Sequence, residues 1–167
     1  MERKVIDNFL PNYQFDQLQS LLMGNEFDWY YNDGVLYEGD GLYQFIHIFY
    51  RWEPSPTGLV WKPTPSFQWI EPYLSFFNMK KIYRIKSNLQ LGTASHRKAG
   101  YHIDNIPCST TAILYMNTCN GGTEFKKGGT IKSVANRVVI FDPTLEHRAV
   151  TCTDEKRRIV INFNYDV

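Results

Sequence analysis

Long apolar runs are missing from this 167-residue chain: none approaches the roughly 18 consecutive residues that suggest a membrane span. The start, Met1-Glu2-Arg3-Lys4, leads into a mixed segment with no continuous apolar stretch, so no signal peptide is expected and the expected compartment is the cytoplasm. An excess of either charge is missing too. Eighteen Lys and Arg against 17 Asp and Glu leave a net charge of +1. That argues against a dedicated nucleic-acid binder, because phosphate neutralisation needs a basic stripe; a local patch stays open. Cysteine is scarce, and Cys108, Cys119 and Cys152 form an odd set without C-x-x-C spacing. Neither a disulfide framework nor a cysteine zinc site fits. Histidine is limited to His47, His96, His102 and His147.

What is present reads as a single domain over residues 1–167, large enough to bury a core without staples. Phe15, Leu18, Leu21 and Leu22 recur at helical spacing, with Asn12 as N-cap and Gly24-Asn25 as stop, which predicts a helix over 13–23. A second helical segment is expected over 66–77, kinked or restarted at Pro72, which lacks an amide donor. The only Pro-rich stretch is 54–65. From residue 82 the pattern becomes strand, turn, strand. Residues 82–91 alternate, with Tyr83, Ile85, Leu89 and Leu91 on one side and Arg84, Lys86, Asn88 and Gln90 on the other. Further strands are expected at 110–116, 123–126, 130–134, 137–141 and 158–165, separated by Gly-Gly pairs and Asn136. Short strands at this spacing predict a mainly β sandwich or jelly roll over 82–167 with flanking helices, supported by a helical and aromatic segment over 1–81. The helices would cover one outer sheet face, and the other face would line a cavity.

His102-Ile103-Asp104 puts two potential ligands at i and i+2, on the same side of an extended chain. With His147 arriving from a later strand, the set is two imidazoles and a carboxylate, the facial arrangement that leaves metal positions open in non-haem Fe(II) oxygenases. The dipeptide spacing alone is weak, since a surface His beside an Asp in a turn gives the same letters. Arg157-Arg158 opens an apolar strand about ten residues after His147, and a guanidinium there is suited to pair with a carboxylate. Periodicity selects Arg158. If it points inward, Val160, Asn162 and Asn164 share its face and Ile159, Ile161 and Phe163 pack outward; the other register drives unpaired amides into the helix interface, at about 1–3 kcal/mol each.

These residues resemble the Fe(II)/2-oxoglutarate-dependent dioxygenases, and among them the small prolyl-hydroxylase-like branch. The matching pieces are Tyr101 to Asn105, Tyr115-Met116-Asn117 followed by Gly121-Gly122-Thr123, Asn136 to Phe141, His147-Arg148, and Arg158 to Tyr165. Residues Ile6 to Pro11 look, more loosely, like the start of small phage and marine-virus members. The resemblance implies a double-stranded β-helix with N-terminal helices on its major sheet. It implies that His102, Asp104 and His147 hold Fe(II), and that 2-oxoglutarate and O2 are consumed, with ascorbate as a reductant. It places Tyr115 and Arg158 on the distal carboxylate of 2-oxoglutarate, Ile113 in the same pocket, and Asn88 near the cosubstrate's metal-side end. Two departures block inheritance of a substrate: collagen-type prolyl hydroxylases use Lys where Arg158 stands, and alkylated-base demethylases carry a second Arg where Asn164 stands.

The primary substrate is expected to be a peptidyl proline, with a nucleobase or a free small molecule as the competing expectation. A jelly-roll binding module without the reaction is the alternative from another class. Arg84 and Lys86 would make the pocket rim positive, or would be a solvated edge. His96 is expected in an exposed loop and His47 as a hydrogen-bonded structural residue. The cysteines are expected to pack as small apolar groups, Cys119 and Cys152 near the active-site rim. Trp29 to Tyr31, Tyr43, Tyr50 and Trp52 would form either a covering layer or a substrate platform. Substrate specificity would lie in this aromatic segment and in the loop around His96.

Overall fold

The computed structural model describes residues 3–167; Met1 and Glu2, which open the segment expected to carry no signal peptide, lie outside the described residues. Eleven strands are described: β1 (Lys4–Ile6), β2 (Tyr30–Asn32), β3 (Gln44–Ser55), β4 (Gly58–Pro63), β5 (Lys81–Leu91), β6 (Thr110–Tyr115), β7 (Gly122–Phe125), β8 (Gly129–Lys132), β9 (Arg137–Phe141), β10 (His147–Val150) and β11 (Arg157–Asp166). The major sheet has the order β1-β9-β6-β11-β5-β3-β2, with β4 paired to β3, and the minor sheet has the order β10-β7-β8. Isolated bridges from Lys98 to Val150 and from His102 to His147 lay the 98–102 segment beside β10. The two sheets form the jelly roll that the turn spacing predicts. Among the described residues no helix is long and apolar enough to cross a membrane.

Alternation sets which side of each strand faces what. On β11, Ile159, Ile161, Phe163 and Tyr165 join the outer core, while Arg158, Val160 and Asn164 are buried on the opposite face. That is the predicted register. The outer core is closed by helix α1 (Asn12–Met23), which buries Phe15, Leu18 and Leu22 against the major sheet. Complete burial of side chains of this size contributes about 1.5–3 kcal/mol each. Asn12 lies inside α1 instead of capping it. Pro11 holds the cap position without a side-chain bond, and the start of the helix is fixed by Asn136 instead. Asn136 sits at φ 61° and is buried; its Oδ1 accepts from the Leu10 amide at 2.9 Å and its Nδ2 donates to the Leu10 carbonyl at 2.8 Å.

The second helical segment divides as Pro72 dictates. It forms two 3₁₀ helices, Pro65–Trp69 and Glu71–Phe77, the second starting with Pro72 in its first turn. Phe77 meets Phe163 at 4.3 Å between ring centres. The 1–81 segment is less helical than expected, because β2, β3 and β4 extend the major sheet beyond β5. The Pro-rich stretch is mostly the β3–β4 hairpin, where edge positions tolerate residues that cannot donate. A side chain at Gly122 would overlap the Ile131 carbonyl across the minor sheet, so β7 requires glycine there.

Candidate active site

His102 and His147 face each other across their bridge, the amide of each donating to the carbonyl of the other at 3.0 and 2.9 Å. Their rings lie 4.6 Å apart, and ligand atoms of His102, Asp104 and His147 all fall within 4.8 Å of one another. Nδ1 of His102 faces the Gly100 carbonyl at 3.4 Å, and Nδ1 of His147 faces that of Leu145 at 2.9 Å. A carbonyl only accepts, so each Nδ1 carries the proton and each Nε2 keeps its lone pair for a metal. Burial, then the neighbouring His147 ring, hold His102 below its ordinary value and keep it neutral.

Asp104 is supported on both oxygens. Oδ1 accepts from Arg84 at 2.9 Å, and Oδ2 from Thr111 at 3.0 Å and Asn164 at 2.9 Å. Arg84 in turn donates through Nε to Asn164 Oδ1 at 3.0 Å. Burial pushes the Asp104 carboxyl up, but Arg84 and these hydrogen bonds outweigh it and hold it below the ordinary range. The carboxylate is therefore ionised and oriented. Four lone-pair sites against three donors leave one for a cation.

At the other end of the cavity Arg158 is only 3% exposed. Its Nη1 donates to Gln90 at 3.2 Å and its Nη2 to Thr123 at 3.2 Å, whereas its Nε is buried without a partner. Among the described residues no carboxylate pairs with it. A buried, uncompensated guanidinium is strongly unfavourable unless an anion completes the site. Asn88 Oδ1 and Asn162 Oδ1 are likewise buried without partners, and both residues line the same cavity of about 240 Å³.

The fit to a metal and a dicarboxylate thus rests on three orphaned polar groups and a preorganised donor set. Asn88, Arg158 and Ile113 line the cavity together with the triad. Tyr115 is set one step back: fully buried, it donates to Thr123 Oγ1 at 2.9 Å, and it is Thr123 that lines the cavity. Because Thr123 Oγ1 accepts from both Tyr115 and Arg158, its own proton is left to point at a ligand. The sequence marked Thr123 only as the start of a strand after the Gly121-Gly122 turn. Gln44 at the start of β3 also lines the cavity, as do Val35 and Leu36 from the preceding loop, whose backbone amides at Val35, Leu36 and Leu42 are gathered by Asp40. No residue pattern announced that loop.

Other predicted residues lie elsewhere. His96 is exposed, bonds the Thr151 carbonyl at 2.7 Å and does not reach the cavity. His47 is buried with both nitrogens engaged, by the Asp28 carbonyl at 2.8 Å and Ser66 at 2.7 Å, beside a separate groove of about 570 Å³. The aromatic segment builds contacts of its own, such as Tyr31 stacked on Tyr43 at 6.1 Å, and none of its rings lines the triad cavity. Cys119 and Cys152 are buried rather than at a rim, and burial next to Cys119 pushes the Cys152 thiol up to about 11. Asp154 completes a cluster with them, but protonated thiols are poor metal ligands.

No protein-family model matches the chain, and no curated protein matches it. Solved structures do. An oxidoreductase of the 2OG-Fe(II) oxygenase family from Burkholderia pseudomallei aligns at a TM-score of 0.70 and 12% identity, over 98% of this chain and 84% of that one. A prolyl hydroxylase from Trichoplax adhaerens, in complex with a hypoxia inducible factor peptide fragment, aligns at 0.61 and 15% identity over 98% and 82%. HygX from Streptomyces hygroscopicus, with nickel and 2-oxoglutarate bound, aligns at 0.59 and 11% identity over 98% and 82%. The chain has the jelly-roll fold of the 2-oxoglutarate-Fe(II) oxygenases.

Proposed function

We propose that the chain is an Fe(II)- and 2-oxoglutarate-dependent dioxygenase that hydroxylates a C–H bond of a primary substrate, releasing succinate and CO2. One observation carries the reading: an oriented His-Asp-His set shares its cavity with a buried guanidinium that lacks a counter-charge among the described residues. His102, Asp104 and His147 would hold the iron. When bound, iron supplies the centre at which O2 oxidises 2-oxoglutarate and one oxygen atom passes to the substrate.

The protein's own groups bind and orient. Arg158, flanked by Gln90, pairs with the distal carboxylate of 2-oxoglutarate, and the Thr123 hydroxyl donates to the same group. Tyr115 acts behind Thr123, fixing its rotor. Asn88 meets the cosubstrate nearer the metal. Arg84, Asn164 and Thr111 keep Asp104 ionised and aimed. Val35 and Leu36 cover the cavity and limit water. The likeness to a prolyl hydroxylase supports a prolyl residue as the hydroxylated group, although nothing in the cavity lining reads a proline ring.

Purified protein supplied with Fe(II), O2, ascorbate and 2-oxoglutarate is expected to form succinate, and His102→Ala is expected to form none. Tight 2-oxoglutarate binding with no succinate from wild type would favour a binding module without the reaction.

A further inference from the structure

Beyond the cosubstrate anchor, the cavity contains a second cation with nothing to pair with. Lys86 lies on the cavity-facing side of β5, opposite Asn162 of β11. Its ammonium makes no hydrogen bond or ion pair among the described residues. The one carboxylate in the lining, Asp104, is already bonded to Arg84. Burial and the Arg84 charge push Lys86 down to about 8, so an anion beside it would be welcomed electrostatically.

Charge counting gives the same answer. Among the described residues, Arg84, Lys86 and Arg158 are the cationic side chains of the lining and Asp104 is its only acidic one. A divalent metal at the triad and the two carboxylates of 2-oxoglutarate cancel each other, so two positive charges remain uncompensated. A low-dielectric cavity focuses that potential on whatever enters next. Lys86 is also remote from the cosubstrate's distal anchor. Gln90 is the β5 residue opposite Arg158, and Lys86 lies four residues along the strand, about 13 Å, toward the end where Asn164 holds Asp104.

We infer that Lys86 is a specificity residue for the primary substrate, and that this substrate presents a carboxylate or a phosphate to the cavity. The inference rests on the dioxygenase reading and deepens it.

The test uses the full chain loaded with redox-inert Zn(II) and 2-oxoglutarate, titrated separately with inorganic phosphate and with acetate. Binding is followed calorimetrically and through the side-chain nitrogen signal of ¹⁵N-labelled Lys86. One of the two anions is expected to saturate the wild type and move that signal, which identifies phosphate or carboxylate as the recognised group. Lys86→Met keeps the length of the side chain and removes an unpaired charge, so it is expected to fold; it should bind that anion at least tenfold more weakly. Its 2-oxoglutarate affinity should stay within twofold of wild type, and Lys86→Arg should restore anion binding. Equal anion binding by wild type and Lys86→Met would place the anion on the metal and overturn the inference. A tenfold loss of 2-oxoglutarate affinity in Lys86→Met would also overturn it, by assigning Lys86 to the cosubstrate. Wild type that binds 2-oxoglutarate but neither anion defeats the inference alone, whereas wild type that does not bind 2-oxoglutarate defeats the dioxygenase reading first.

Discussion

Arg157 and Arg158 are adjacent in sequence and face opposite sides of β11. Arg157 reaches across to the Met23 carbonyl at the end of α1, while Arg158 closes the deep end of the cavity. Their alanine variants should therefore separate cleanly. Arg158→Ala removes a charge-assisted pair to the cosubstrate and leaves Gln90 and Thr123 without their donor, at about 2–3 kcal/mol, or roughly 30- to 150-fold in 2-oxoglutarate affinity. Arg157→Ala should leave that affinity within about twofold. Calorimetric titration of both variants decides it, and the reverse ranking would refute the strand register. At this scale much of the site was legible in the sequence. Alternation alone put Arg158, Asn88 and Lys86 on the cavity side, because a strand has a period of two and no other freedom. Tyr115 was only partly legible: its strand follows from the sequence pattern and its place at the pocket from the family resemblance, but how deep its hydroxyl sits depends on how closely β7 approaches. Thr123 takes the inner position, and that distance belongs to the packing of two sheets.

Among the elements, the strands with clear alternation and glycine boundaries were predicted within about two residues, and the 66–77 segment broke where proline forbids a helical bond. Residues 44–50 alternate and form the first half of β3; what escaped was its continuation into the β3–β4 hairpin, whose prolines disguise an edge ribbon, and the 33–43 loop, which is shaped by Asp40 rather than by any periodic pattern. The minor sheet carries its own electrostatic clasp. Glu124 on β7 takes Arg148 of β10 at 3.1 Å, Lys98 at 2.9 Å and Tyr101 at 2.9 Å, tying together the segments that bear His102 and His147. Arg148 first, then Lys98 and Tyr101, hold the Glu124 carboxyl down to about 2, from an ordinary value of 4.5. A depressed acid stabilises above its unfolded value and loses that stabilisation as pH falls toward its folded value. Glu124→Gln should thus lower the denaturation midpoint at pH 7, and the gap from wild type should narrow between pH 4.5 and pH 2. A gap that is constant with pH would show that the clasp contributes packing and not charge.

For the whole molecule, ligand binding and folding stability are linked because the cavity lies between the two sheets and exists only when both are formed. With the metal site filled by Zn(II), a hundredfold excess of 2-oxoglutarate over its dissociation constant adds about 2.7 kcal/mol, which for a chain of this length raises Tm by roughly 5–10 °C. Differential scanning fluorimetry should record that shift in wild type and lose it in Arg158→Ala at the same concentration; an equal shift in both would place the cosubstrate elsewhere.

One strand, β11, carries Arg158 at one end and Asn164, the support of Asp104, at the other, and it is hydrogen-bonded along its length to β5 and for most of it to β6. Six residues of extended chain separate the two positions, about 20 Å. That spacing works as a fixed ruler: it cannot stretch or shorten without parting the centre of the major sheet. Thermal inactivation and global unfolding should then share one midpoint, because no partially melted form keeps the two ends of the site in register.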